Sequence, residues 1–90
     1  MRVMSDTLIN EPVTIWAFFD PSANPSHIFP IAMNWRRRLV KFQKLILTTT
    51  KRIGETKILS LICASDTACF ELEYNTGNYL WKLVKVMNQE

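Results

Sequence analysis

Glycine, histidine and cysteine are scarce in this chain of 90 residues, which has two glycines, one histidine and two cysteines. A zinc site built from four cysteine and histidine ligands is therefore not available within one chain. The sequence also lacks a glycine-rich phosphate loop, a nucleophile elbow and a metal-ligand set. We therefore expect no catalytic residues, no metal and no cofactor, and we expect that the protein is not an enzyme.

Long hydrophobic runs are absent as well. No run approaches the roughly 18 to 20 apolar residues that a membrane span needs, and residues 1–11 lack the apolar region of a signal peptide. We therefore expect a soluble, cytoplasmic protein with no membrane partner. In that compartment we expect Cys63 and Cys69 to stay reduced and to pack as small apolar side chains, with a disulfide as the alternative.

What the chain does have is a high apolar content for its length. Hydrophobic residues make up 48% of the sequence and aromatic residues 11%, which is enough for a compact core and too apolar for a disordered chain. A chain of this length forms one domain. We assign residues 1–11 to a flexible N-terminal arm and residues 12–87 to a single β domain.

Alternating apolar side chains predict short strands along most of the domain. Residues 12–19 (PVTIWAFF) and 28–35 are rich in β-forming side chains, and the Pro- and Asn-containing residues 20–27 between them predict a loop. Pro30 indicates an edge or a bend in the second strand, and Gly77 in the Asn-Thr-Gly-Asn turn can supply a positive φ. Five or six strands in mostly hairpin order predict an all-β fold, a small antiparallel sheet curled into a partly open barrel.

Residues 36–50 fit two structures. As a helix, the segment puts Leu39, Phe42 and Ile46 on one face, whereas as a strand it alternates basic and apolar side chains. The three consecutive threonines at 48–50 favour a bent or broken strand, because β-branched side chains lose rotamer freedom in a helix. One short helix remains the alternative.

The C-terminal third predicts a hairpin whose register depends on its loop. A two-residue loop at 65–66 sets Leu61 opposite Phe70 and puts both apolar rows on one face. In that register Cys63 and Cys69 lie on opposite faces. A three-residue loop would instead set the two cysteines opposite each other, but it would also set leucines against glutamates.

Residues 35–46 (WRRRLVKFQKLI) resemble a pattern in an uncharacterised family of small bacterial β proteins. Those proteins show a Trp-x-Gly-Arg stretch that runs into a strand, with a proline a few residues upstream. Pro30, Trp35, Arg36 and Arg38 match this pattern in spacing, and Arg37 stands where the family has glycine.

The family's C-terminal hallmark is an aromatic-Glu-Leu strand followed by a turn and a Trp-x-Leu strand. It is similar to residues 70–72 (FEL) and 81–83 (WKL) of this chain. The resemblance covers roughly residues 28–86 and implies a small bacterial β protein. Some family members look like companions of DNA-repair genes, which implies nucleic-acid metabolism by association.

Positive charge is concentrated in residues 36–57. This segment holds eight of the 11 basic residues and one acid, which gives it a charge of +7, whereas the remainder, with three basic and seven acidic residues, carries −4. Such separation can steer a polyanion toward one part of the surface. Proteins that bind single-stranded nucleic acid combine a basic groove with aromatic side chains on which bases stack.

We therefore predict weak binding of single-stranded nucleic acid, without strong sequence preference. Trp16 is the best candidate for an exposed ring, because its two neighbours in the strand supply the opposite face. The other two tryptophans are expected in the core, since small barrels need large side chains inside. The predicted binding residues are Arg36, Arg38, Lys41, Lys44 and Trp16.

Other interpretations stay open. The basic strand also fits a solvated sheet edge whose charges discourage pairing, and the protein fits an accessory module that pairs with a second copy or another protein through a sheet edge. Arg37 is left out of the site because successive residues of a strand point to opposite faces. Glu71 and Glu73 lie about 7 Å apart on one strand face, a spacing that suits paired carboxylates and equally suits an ordinary outer face.

Overall fold

The computed structural model describes residues 5–21 and 27–88, which form eight antiparallel strands and no helix. The predicted all-β antiparallel fold is confirmed, in two sheets that do not close into a barrel. The larger sheet has the order β1-β8-β7-β6-β5 and the smaller one the order β2-β3-β4. The strands are β1 (Ser5–Pro12), β2 (Thr14–Phe19), β3 (Ile28–Trp35), β4 (Arg38–Lys41), β5 (Lys44–Ile53), β6 (Thr56–Ala64), β7 (Ala68–Asn75) and β8 (Leu80–Asn88).

The chain changes sheet at two short breaks. At the first break the Val13 amide donates to the Trp81 carbonyl at 3.2 Å. At the second, the Phe42 amide donates to Ile31 of the smaller sheet at 2.9 Å, and the Gln43 amide donates to Ala64 of the larger sheet at 2.6 Å. The predicted broken strand over residues 36–50 is therefore confirmed, with β4 and β5 in different sheets.

The two sheets share one hydrophobic core. The inner face of the larger sheet supplies Leu61, Leu72 and Leu83, and the smaller sheet supplies Met33; all four side chains are fully buried. Trp35 and Trp81 pack against this core, as predicted for these rings. Alternation along β6 and β7 produces this arrangement, because every second side chain of a strand faces the same side.

The β6–β7 hairpin differs from its predicted register by two residues. Leu61 is paired with Leu72 and Cys63 with Phe70, because the loop is one residue later than expected. The Ser65 hydroxyl accepts hydrogen bonds from the amides of Thr67 and Ala68, at 3.2 Å each, and these bonds close the turn. A shift of two residues preserves the faces, so the apolar rows still share one face and the two cysteines still lie on opposite ones.

Pro30 lies within the central strand of the smaller sheet rather than at an edge. The pairing of β2 with β3 shifts between Trp16, which is opposite Ala32, and Ala17, which is opposite Pro30. Ile31 is the extra residue of this bulge. The hydrogen-bond ladder is locally disrupted at a bulge, which is why a proline next to the extra residue is tolerated there.

The N-terminal arm is corrected for residues 5–11, which belong to β1. Thr7 is paired with Val86 of β8, and Ile9 packs against the core. The sequence missed this strand because its pairing is carried by the backbone, while Leu8 remains 70% exposed. Residues 1–4 of the expected arm lie outside the described residues.

Two predicted connections, the loop over residues 20–27 and the turn at Gly77, are described in part by the structure. Residues 22–26 of the predicted loop lie outside the described part of the chain, and its ends are joined by the Asp20 amide, which donates to the His27 carbonyl at 2.8 Å. Gly77 does not have a positive φ; that conformation occurs at Tyr79 instead. Glycine is still favoured at 77, because a Cβ there would lie 3.1 Å from a Thr56 methyl group.

Candidate nucleic-acid interface

The first two predicted arginines lie in a turn and not in a strand. Arg36 and Arg37 connect β3 to β4 with φ values of 52° and 66°. Two consecutive positive φ values are typical of a type I′ hairpin turn, which favours Asn-Gly. The prediction that Arg37 lies on the opposite strand face from Arg36 is therefore wrong, because neither residue is part of a strand.

Arg36 has a carboxylate partner within the protein. Its Nη2 lies 2.6 Å from Glu11 Oε2 and its Nε 3.3 Å from Oε1, while its guanidinium lies 4.8 Å from the centre of the Trp35 ring. Trp35 Nε1 also donates to Glu11 Oε1 at 3.1 Å. These contacts link β1 to the β3–β4 turn, so Arg36 is held in place before any ligand binds.

The same contacts change the titration of both charged groups. The hydrogen bonds from Arg36 and then Trp35 lower the pKa of Glu11, because they stabilise its carboxylate form. The Glu11 carboxylate in turn raises the pKa of Arg36. Arg36 is therefore charged but already neutralised, and a phosphate would have to compete with Glu11 for it.

Arg38, Lys41 and Lys44 differ from Arg36 in having no carboxylate partner among the described residues. Arg38 and Lys41 begin and end β4, and Lys44 begins β5 just beyond the second break. All three side chains are exposed. Their charges are therefore available to an external anion.

Lys41 and Trp16 occupy one row of the smaller sheet. Trp16 is paired with Ala32, and Ala32 is paired with Lys41. Directly paired residues of an antiparallel sheet point to the same face, so the Trp16 ring and the Lys41 ammonium flank Ala32 on the outer face. Ala32 is only 8% exposed although it faces outward, whereas Trp16 is 50% exposed.

The outer face of the smaller sheet is otherwise apolar. The rings of Phe18 and Phe29 lie in contact beside the row, with their centres 5.5 Å apart. Phe18 is 51% exposed, and Ile31 and Leu39 are also exposed. Phe29, which is half-buried, could not be identified from the sequence, because the register shift at the Pro30 bulge that sets its pairing with Phe18 cannot be read from alternation.

A groove of about 780 Å³ borders β4 on its unpaired side. Its floor includes Phe70 and Val86 of the larger sheet and Trp35, and its far wall is the β6–β7 turn. We call it the β4 groove, and all four residues of β4 line it. A smaller pocket that is lined by Lys44 shares the β6–β7 turn with the groove.

The five predicted binding residues therefore lie at four places, with Lys41 belonging to two of them. Trp16 and Lys41 share the outer face of the smaller sheet, and Arg38 and Lys41 share the β4 groove with no acid partner. Lys44 lies in the adjoining pocket. Arg36 is held by Glu11.

Glu71 and Glu73 lie on the outer face of the larger sheet and are matched by lysines. Glu73 contacts Lys51 at 3.1 Å and Lys82 at 3.9 Å, and Glu71 contacts Lys85 at 3.9 Å. In the ranges 5–21 and 27–88 no group of three or more histidine, cysteine or acidic residues is placed to hold a metal. The two carboxylates form part of a cross-strand ladder of ion pairs.

The two cysteines form no disulfide within the described residues and lie in different environments. Burial raises the pKa of Cys63 to about 12, and the electrostatic influence of the nearby Cys69 side chain adds a smaller part. Cys63 therefore stays protonated at neutral pH as part of the core, whereas Cys69 is half-buried.

No family model, curated protein or solved structure matches this chain. The resemblance to small bacterial β proteins consequently stays a prediction. Within the residues that the structure describes, no helix has the length and apolar character needed to cross a membrane.

Proposed function

We propose that this protein binds single-stranded nucleic acid, weakly and without strong sequence preference, on the outer face of the smaller sheet and along β4. The observation that carries the proposal is the row in which an exposed Trp16 ring and an unpaired Lys41 flank Ala32. Binding alone is proposed, without catalysis.

Stacking is the first part of the proposed mechanism. Base-on-aromatic stacking tolerates every sequence because each base has a flat π-face. Trp16 presents such a surface, and the neighbouring Phe18 and Phe29 rings extend it along β2 and β3. A short run of unpaired bases could therefore lie across the sheet.

Electrostatic attraction is the second part. Arg38, Lys41 and Lys44 are exposed and have no internal carboxylate partner in the described structure. The Lys41 side chain is long enough to reach the backbone of a nucleotide stacked on Trp16. Three phosphate contacts to single strands predict that affinity falls about 20-fold between roughly 50 and 200 mM salt.

Fluorescence anisotropy of a labelled oligothymidylate, at those two salt concentrations, tests the proposal. The Arg38→Ala/Lys41→Ala variant should lose most of the affinity and of the salt dependence. Lys82→Ala/Lys85→Ala is the matched control, since it removes the same net charge from the ion-pair ladder of the larger sheet. Equal losses in the two variants would show that only net charge matters, and no binding at low salt would reject the proposal.

Trp16→Ala separates stacking from charge in the same assay. Loss of one stacked base costs about 1–3 kcal/mol of binding free energy, so affinity should fall at least fivefold while the salt dependence stays as it was. Phe19→Ala, at the end of the same strand and 62% exposed, is the control for removal of an exposed aromatic ring. An equal effect of the two substitutions would argue against a stacking site at Trp16.

A protein partner is the second candidate, because the outer face of the smaller sheet is largely apolar. Exposed apolar patches frequently mark interaction sites. Association through this face would depend little on salt, in contrast to nucleic-acid binding. Sedimentation at the same two salt concentrations, with and without the oligonucleotide, distinguishes the two functions.

A further inference from the structure

The free edge of β4 offers backbone hydrogen-bonding groups beside the β4 groove. β3 and β4 are joined by a two-residue turn, with Trp35 paired with Arg38 and Met33 with Val40. Pairs next to such a turn alternate between hydrogen-bonded and non-hydrogen-bonded, and the pair that closes it is hydrogen-bonded. The N–H and C=O groups of Leu39 and Lys41 therefore point away from β3, toward the groove.

The contact at the end of β4 agrees with this alternation. The Phe42 amide donates to the Ile31 carbonyl at 2.9 Å, so residues 38, 40 and 42 face β3. All four residues of β4 line the groove, and the smaller sheet ends at this strand. An unpaired edge of this kind is a template for another strand.

The groove beside this edge has an apolar floor. Phe70 and Val86 of the larger sheet and Trp35 of the smaller one form it. The volume of about 780 Å³ falls within the range of roughly 300–1,000 Å³ typical of ligand sites. One face of an added strand would therefore lie on apolar side chains, and its backbone would pair with β4.

The charges around the groove favour an acidic partner. Arg38 and Lys41 line it without a carboxylate partner among the described residues, and Asp66 is the one acid in its wall. Lys44, in the adjoining pocket, is a third cation. The free edge of β5 in a second copy is a poor occupant, because Lys44, Lys51 and Arg52 make that strand basic as well.

We propose that the β4 groove binds an extended acidic peptide, which adds antiparallel to the free edge of β4 as a fourth strand of the smaller sheet. This goes beyond the proposed nucleic-acid binding and rests on a different feature, the backbone edge, which pairs with a peptide backbone. Main-chain hydrogen bonds would supply affinity, and alternate side chains would supply specificity.

The geometry assigns a role to each alternate residue of the peptide. Residues that hydrogen-bond to Leu39 and Lys41 share the face of those side chains, which is the outer face. Acidic side chains at these positions would lie near the Lys41 ammonium. The residues between them would point inward to Phe70 and Val86, so they should be apolar.

The probe is a fluorescein-labelled peptide of about eight alternating glutamate and valine residues, measured by anisotropy against the full chain. N-methylation of the glutamates removes the donors that face β4 and should weaken binding about tenfold or more, the effect of losing two or three hydrogen bonds. N-methylation of the valines, whose N–H groups face away from β4, should leave affinity within about twofold. Equal effects of the two methylations, or no binding of the unmodified peptide, would overturn the proposal.

Amide exchange locates the peptide on the protein without any substitution. Addition of the peptide should slow hydrogen exchange at Leu39 and Lys41, and should leave the amides along the free edge of β5 unchanged. Leu39→Pro removes one of the two free donors without touching the β3–β4 ladder and should weaken peptide binding about tenfold. Protection of β5 in place of β4, or full affinity in a folded Leu39→Pro protein, would contradict strand addition at this edge.

Oligothymidylate serves as the comparison ligand for both measurements. If it binds while the peptide does not, strand addition is rejected and the proposed nucleic-acid binding stands. If the peptide binds and the oligonucleotide does not, the nucleic-acid proposal is rejected instead. A peptide of alternating lysine and valine that binds as tightly as the acidic one would overturn the assignment of an acidic partner.

Discussion

The outer faces of the two sheets are constructed differently, although both follow the same strand alternation. On the larger sheet, Glu71 and Glu73 are surrounded by lysines in a ladder of ion pairs. On the smaller sheet, Lys41 shares the outer face with the exposed rings of Trp16 and Phe18 and has no acid partner in the described structure. The first surface is neutralised within the protein, whereas the second leaves both its apolar area and its charge for a partner.

Two arginines at the β3–β4 turn differ in a related way. Arg36 at the turn is neutralised by Glu11, whereas Arg38, two residues later, is not. A run of three arginines in sequence therefore contains one structural residue and one that is free to bind. We infer that binding residues must be identified by whether a basic side chain already has an acidic partner in the protein, and not by the local density of positive charge.

The largest contrast is expected in the free energy of unfolding, when the same substitution is made in the core and on the outer face of the smaller sheet. Leu72 is fully buried between the sheets and Leu39 is 59% exposed on the smaller sheet. Leu72→Ala should lower the free energy of unfolding by about 2–5 kcal/mol, and Leu39→Ala by less than about 0.5 kcal/mol. Urea unfolding followed by tryptophan fluorescence measures both, and similar losses would show that Leu39 is part of the core.

Charge reversal on the two outer faces should separate binding from stability. Lys41→Glu should weaken oligonucleotide binding about tenfold and lower the salt slope by about one, with little effect on unfolding. Lys82→Glu places an acid directly opposite Glu73 and should cost about 0.2–1 kcal/mol of stability through like-charge repulsion, while binding is retained. The comparison fails if the two reversals affect binding equally.

Relief of backbone strain gives a smaller effect at the arginine turn. Arg37 has a φ of 66°, a conformation that costs a residue with a Cβ about 1–2 kcal/mol but suits glycine. Arg37→Gly should therefore raise the free energy of unfolding by about 1 kcal/mol, as measured by thermal and urea unfolding. Arg37→Ala, which keeps the Cβ, is the control, and a stabilisation equal to that of glycine would show that the side chain and not the backbone is responsible.

The smallest expected effect comes from the titration of Glu11. Its pKa is lowered by the hydrogen bonds from Arg36 and Trp35, so its contribution to stability is complete above the pKa of the unfolded chain and is lost as pH falls through the folded value. Glu11→Gln should therefore be less stable than the native protein at pH 6, and the difference should shrink as the pH is lowered toward 3 and Glu11 becomes protonated. A stability difference that persists at the lower pH would assign the effect to packing.

Much of the fold could be predicted from the sequence because alternation is a local signal. The inner rows of β6 and β7, the break between β4 and β5, and the burial of Trp35 and Trp81 all follow from side-chain pattern. The division into two sheets does not. It depends on backbone contacts such as that between Gln43 and Ala64, which join residues distant in sequence.

Individual residues of the candidate site could be predicted from the sequence, but their arrangement could not. Trp16 was identified correctly as an exposed ring, and Lys41 as a residue of the basic segment, but their common row passes through Ala32 and requires the register of three strands. Glu11 was not identified because it precedes Arg36 by 25 residues. Pairings over such separations are set by the tertiary fold, which the local pattern does not encode.

Amide chemical-shift mapping by NMR, with unlabelled oligothymidylate added to the isotope-labelled protein, tests most directly whether the smaller sheet is the binding surface. We predict that the largest shift changes cluster at Trp16, its indole N–H, Ala32 and Lys41, and spare Lys82 and Lys85 on the larger sheet. Changes centred on the ion-pair ladder of the larger sheet, or none at low salt, would contradict the account.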